Sequence, residues 1–136
     1  MISSMEISIP TLIARFFSVS LFLVGLSHLI QPRLWRDFFI KIKETGVSGL
    51  IIAMYTLPQG LLIVLGHNIW VLDIPVIITI CGWGMTIKCV TYALLPSRAE
   101  AVIPEGPNAH RKYALGGALM LPISLLLIWH SFFRAT

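Results

Sequence analysis

The chain has 136 residues, 57% of them hydrophobic and only 12% charged, with a mean hydropathy of +0.87. Soluble domains carry about 25% charged residues, so a water-facing globule is excluded and a polytopic membrane protein is the class that remains. The net charge of +4 forms no basic face with interleaved aromatics, so nucleic-acid binding has no support.

In chain order, residues 1–14 hold no Lys or Arg and no small-x-small cleavage site follows the first apolar run, which therefore reads as a retained span. A span needs about 20 apolar residues. Segments 9–30, 47–66, 74–95 and 113–133 qualify, and each must be helical because lipid offers no backbone partners. The expected fold is all-α and integral to the membrane, one domain over residues 1–136. Its four transmembrane helices form two repeated hairpins, with a short amphipathic interfacial helix between spans one and two.

Arg15 lies about a turn and a half inside span one. Its side chain leans toward the helix N-terminus, which suits snorkelling to headgroups; a role in a site is the sharper alternative. In the first connector, Leu34, Trp35, Phe38, Phe39 and Ile42 repeat at helical spacing and basic residues fill most of the other face. This predicts a surface helix favouring anionic lipid, with Arg33, Trp35, Arg36, Lys41 and Lys43 at the lipid interface. A docking helix for a partner subunit is the alternative.

The third connector carries Arg98, Arg111 and Lys112, and the second, residues 67–73, has no Lys or Arg. The positive-inside rule then places connectors one and three in the cytoplasm and both termini outside it.

Shifted by about 64 positions, the sequence partly matches itself. Ile9-Pro10 falls near Ile74-Pro75, and Pro32 on Pro96. Leu57-Pro58 falls on Leu121-Pro122, and Leu61–Val64 on Leu125–Ile128. The mid-span prolines weigh most, because an interior proline removes a helical hydrogen bond. Each repeat holds two spans, so the halves are related by an axis along the membrane normal. The small residues Gly46, Gly49, Ala53, Gly116 and Gly117 are candidates for close helix contact.

The two cysteines, Cys81 and Cys89, fall in one expected helix about 12 Å apart. That is too far for a disulfide, and no CxxC spacing supports thiol exchange.

In Gly82–Tyr92, "GWGMTIKCVTY", Lys88 is the one charge, and intramembrane charges mark function by default. It lies about 12 Å before Pro96 along the helix and leans away from that nearer interface. No acidic residue lies well inside any span. Three readings stand open. Lys88 faces the bundle interior, toward Thr86, Tyr92, Gln59, Tyr55 or His28; or it pairs with an acid or headgroup from a partner or ligand; or span three sits shallower and Lys88 lies at the interface. His28, one turn before Pro32, is either an interfacial histidine or a ligand or proton carrier near Lys88. The candidate contact residues are thus Lys88, His28, Tyr92 and Gln59.

His67 and His130 end spans two and four at similar depth. A metal or haem between them is one reading, but no Cys/His spacing motif accompanies it, so neither a metal site nor a cofactor bound by this chain alone is expected. With no phosphate-binding glycine loop, paired carboxylates or Ser/His/Asp arrangement, a non-enzymatic protein is expected.

At "LFLVGLSHLIQP" the chain resembles the DoxX-like group of small four-span membrane proteins. Gly25, His28 and Pro32 hold the places of that group's G-x-x-K and proline, with His28 where lysine is frequent. "LPQGLLIVLGHNIW" and "GWGMTIKCVTYALLP" are similar to uncharacterised bacterial four-span proteins of this size. The resemblance implies a four-helix membrane fold in a bacterial inner (plasma) membrane and an association with membrane redox complexes.

The expected function is an accessory or structural subunit of a larger membrane complex, with the lipid bilayer and other membrane subunits, or further copies of itself, as partners. The alternative is a quinone-, lipid- or cofactor-binding oxidoreductase component with a site near Lys88 and His28. A transporter is a third class: four spans would suffice only as a dimer, and no intramembrane carboxylate offers ion coupling.

Overall fold

A computed structural model describes residues 6–134; residues 1–5 and 135–136, the two ends of the chain, lie outside the described part. The fold is all-helical. Helix α1 spans Ile9–Ile30, α2 Pro32–Glu44, α3 Ser48–Gly66, α4 Pro75–Leu94, α5 Pro96–Val102 and α6 Ala109–Trp129, and α6 continues as a π-helical turn over His130–Arg134. Helices α1, α3, α4 and α6 with its π turn are long and apolar enough to cross a membrane, so the molecule is a membrane protein. Span boundaries agree with the apolar runs to within a few residues.

Prolines mark the helix starts. Pro10, Pro32, Pro75 and Pro96 each sit in a first turn, where the missing N–H would have had no partner. Pro58 and Pro122 lie inside α3 and α6. Ser8 caps α1, its hydroxyl accepting from the Thr11 N–H at 3.4 Å. Helix α2 is amphipathic as its spacing predicts: Ile42 is buried, while Arg33, Asp37, Lys41 and Glu44 are exposed. Helix α5 is a short helix within what reads in sequence as a plain connector.

The extensive contacts pair α1 with α6 and α3 with α4. Both seams are narrow because glycines line them. A Cβ on Gly25 would lie 2.7 Å from the Met120 Cβ, and one on Gly60 2.7 Å from the Thr86 hydroxyl. Gly49 approaches the Tyr92 carbonyl and Pro96 equally closely. Such approach is how membrane helices gain packing without a hydrophobic driving force. Of the small residues expected at contacts, Gly49, Ala53 and Gly117 are buried. Gly46 instead makes the turn before α3 at φ 74°, and Gly116 has open space around it.

Contacts in the two seams recur at an offset of about 64 residues. The Arg15 Nε donates to the Ser131 carbonyl at 3.1 Å, and the Thr79 hydroxyl lies 2.9 Å from the His67 carbonyl. Gly25 meets Met120 as Cys89 meets Thr56. Helix α2 packs on α6, and α5 on α3.

The two pairs share a core at one end only. Ile13, Ala14 and Phe17 of α1, Ile63 of α3, Ile78 of α4 and Leu127 of α6 are buried together, with Leu21, Ile77, Cys81 and Met85 against them. All lie in the half of the bundle where α1 begins and α6 ends, the tail end. Toward the other end, where α2 and α5 lie, the buried residues Gly25, His28, Ala53, Cys89 and Gly117 belong to the seam within one pair or the other.

Candidate functional site

The helix faces that make the tail-end core continue into the connector half without meeting a partner. On α4, Met85 packs against the core, and Lys88 and Tyr92 follow it at helical spacing on the same side. On α3, Gln59 and then Tyr55 precede the buried Ile63 by one and two turns. On α1, Val24 follows Leu21; on α6, Ile123 and Leu119 precede Leu127. Lys88 and Gln59 are exposed, as are Tyr55 at 73%, Leu119 at 59%, Ile123 at 41% and Val24 at 40%. Between the pairs, the connector half is therefore an open cleft, one wall carrying Lys88, Gln59 and Tyr55 and the other the aliphatic Val24, Leu119 and Ile123.

Helix geometry puts Gln59 and Lys88 on the same wall at the same depth. The α3/α4 seam runs through Gly60 against Met85 and Thr86, and Thr56 against Cys89. Gln59 precedes Gly60 and Lys88 precedes Cys89 in antiparallel helices, so both side chains emerge on one side of the seam. Tyr92 lies one turn further toward the connector end and is half-buried. Lys88 itself takes part in no hydrogen bond or ion pair among the described residues. The Thr86 hydroxyl, a candidate partner in sequence, instead donates to the Gly82 carbonyl at 2.8 Å. A sealed interior site for Lys88 is thus replaced by an exposed position at the cleft edge.

His28 is not part of that wall. It is buried in the other helix pair, 9% exposed. Its Nδ1 lies 2.8 Å from the Val24 carbonyl; with the proton there it donates, which leaves Nε2 as the free lone pair. Its ring stacks on Trp35 at 4.0 Å between centroids and lies 6.1 Å from Tyr113. The Trp35 indole N–H donates to the Ser27 hydroxyl at 2.9 Å, and Phe39 stacks on Tyr113 at 5.5 Å. Trp35, expected at the lipid interface, turns under α1 and fastens α2 to it, while Phe39 joins α2 to α6 through Tyr113. Beside it runs an apolar groove of about 310 Å³ lined by Ser27, Leu34, Trp35 and Phe38. Of the expected interface cations, Arg33 and Lys41 are exposed, Arg36 pairs with Asp37, and Lys43 pairs with Glu105, tying α2 to the segment ahead of α6.

At the tail end, His67 and His130 line one cavity of about 100 Å³ together with Thr11, Pro75, Ile78 and Ser131. His67 is 2% exposed, and burial pushes its imidazole below the ordinary histidine value. The Thr79 hydroxyl, 3.4 Å from its Nδ1, accepts from the Ile69 N–H at 3.1 Å and holds the α3–α4 loop down. No group of three or more His, Cys, Asp or Glu is placed to hold a metal ion among the described residues. Arg15 does not reach outward. It donates to the Ser131 carbonyl in the π turn, with its guanidinium 4.8 Å from the Phe132 ring centroid. Its role as a link between α1 and the end of α6 left no local signal in sequence.

No protein-family model, curated protein or solved structure matches this chain.

Proposed function

We propose that this chain is an accessory subunit of a larger membrane complex, completed by another membrane component that fills the cleft in its connector half. The observation that carries this reading is the incomplete core. Packing between the two helix pairs ends about halfway, and Lys88, Gln59 and Tyr55 stand exposed on faces that elsewhere are buried. A polar wall in lipid is costly unless something covers it, and membrane helices associate through such faces. The DoxX-like resemblance at Gly25, His28 and Pro32 fits a redox complex as the setting. The scaffold is read as a duplicated two-span unit, which the recurring Arg15–Ser131 and Thr79–His67 contacts support. The test is the mass of the native particle in mild detergent. The subunit reading expects the chain in a particle larger than itself with its lipids; recovery as a lone, stable monomer overturns it.

A second reading draws on the apolar groove beside Trp35. It is large enough to take part of a quinone ring or acyl chain, with the His28 imidazole stacked behind the indole. An absorption spectrum and lipid extraction of the purified protein test it, and a preparation free of bound quinone and ordered lipid removes it.

A further inference from the structure

We infer that the occupant of the cleft is a transmembrane helix of a different protein carrying an Asp or Glu, whose carboxylate meets the Lys88 ammonium. This rests on the subunit reading and specifies the partner's chemistry. Lys88 sits about 9 Å from the connector end of α4, exposed and without a partner among the described residues. An ammonium at that depth is rare unless paired or turned to a water-filled cavity.

The chain cannot supply the partner itself. Its six acidic residues are Glu6, Asp37, Glu44, Asp73, Glu100 and Glu105. All lie outside the four membrane helices: Glu6 ahead of α1, Asp73 in the α3–α4 loop, Asp37 and Glu44 in α2, Glu100 in α5 and Glu105 just after it. A second copy of these 136 residues therefore brings no carboxylate to the depth of Lys88. A phospholipid phosphate stays at the headgroup level, and the Lys88 side chain leans the other way, because α4 runs toward the connector end and side chains tilt toward the helix N-terminus. That leaves a carboxylate borne on a helix. The surroundings admit one. Gly84, one turn from Lys88 toward lipid, has open space where a Cβ would stand, so a partner backbone approaches closely there. Gln59, at the same depth on the same wall, offers an amide N–H to the second carboxylate oxygen. Thus α4 supplies charge and space, α3 a hydrogen bond, and the aliphatic wall of Val24, Leu119 and Ile123 the apolar packing.

The test uses the full chain reconstituted in zwitterionic vesicles with a synthetic poly-leucine membrane helix carrying one Asp near its centre, and association read by energy transfer. The Asp helix is expected to bind about tenfold more tightly than the same helix with Leu there, equivalent to about 1.4 kcal/mol. Lys88→Met should erase the preference and Lys88→Arg should retain most of it; normal helix content by circular dichroism establishes that each variant is folded. Equal binding of the two helices to the native chain overturns the inference. So does a preference that survives Lys88→Met, or one abolished by anionic phosphatidylglycerol, which would make lipid phosphate the group that meets Lys88. A lone monomer from native membranes defeats the subunit reading; loss of Asp selectivity in vesicles, with a large native particle intact, defeats this inference alone.

Discussion

Gly25 and Gly117 meet backbone to backbone across the α1/α6 seam, so closely that a Cβ on Gly117 would stand 2.5 Å from the Gly25 carbonyl oxygen and 2.7 Å from the Leu29 nitrogen. These are main-chain atoms that cannot rotate away, so one methyl group forces the two helices apart along their length.

Gly117→Ala is therefore expected to destabilise the bundle by about 2 kcal/mol or more. Its neighbour is the control. A Cβ on Gly116 meets nothing within 4 Å, and Gly116→Ala should be neutral or slightly stabilising through its helix propensity. Unfolding midpoints of both variants in mixed micelles check the pair; equal loss from both would mean the seam is looser than its geometry requires.

The His28–Trp35 stack should behave as a latch for α2. Trp35→Phe keeps a ring over the imidazole and loses the indole bond to Ser27, an expected cost of about 1 kcal/mol. Trp35→Ala loses the stack as well and should cost about 2–3 kcal/mol, less than for a fully buried tryptophan. Hydrogen exchange over α2 is the measurement. Faster exchange confined to residues 32–44 is expected, and unchanged protection would show that α2 is held by its other contacts alone.

Stability should depend on pH through His67. Burial holds its folded imidazole below the ordinary value of 6.5. Between those two values the unfolded chain binds more protons, so stability falls as pH drops from about 6.5 through the folded value and is level above that window. The loss should appear at the tail end, where His67, His130 and the Arg15-bound Ser131 surround one cavity. His67→Asn keeps an amide N–H near the Thr79 hydroxyl but does not titrate. Its unfolding midpoint should vary less between pH 7 and pH 5 than that of the native chain; identical profiles would assign the acid sensitivity elsewhere.

Arg15 binds a carbonyl and stacks on an aromatic ring, so a lysine cannot replace it. Arg15→Met and Arg15→Lys are both expected to lose about 1–2 kcal/mol, allowing for the partial exposure of this side chain. Both should raise hydrogen exchange within the π turn at residues 130–134. Full protection in Arg15→Lys would make charge alone sufficient.

Much of the architecture was legible because lipid leaves the backbone few choices. Apolar runs of about 20 residues become helices, and the α2 pattern of Leu34, Trp35, Phe38, Phe39 and Ile42 reads directly as a surface helix. Lys88 was legible as an oddity, but its surroundings were not. Helical spacing shows that Gln59 and Lys88 lie one residue before their seam positions only once Gly60, Thr86, Thr56 and Cys89 are known to form a seam. His28 and Lys88 fall in the same half of the bundle, which suggests a common site; packing separates them, because His28 turns into α1/α6 and Lys88 stands on α4.

By itself, then, the sequence determined how many helices cross the membrane, where they begin and end, and that a cation lies inside one of them. These follow from local chemistry: apolar length, proline position and charge. Only the tertiary structure decided which helices pair, that Arg15 binds a carbonyl more than a hundred residues away, and that the shared core stops halfway and leaves Lys88 on an open wall. The physical reason is that helix pairing in lipid rests on how closely backbones approach at residues such as Gly25, Gly60 and Gly117. Every apolar face is equally content against lipid, so hydrophobic pattern alone does not choose its neighbour.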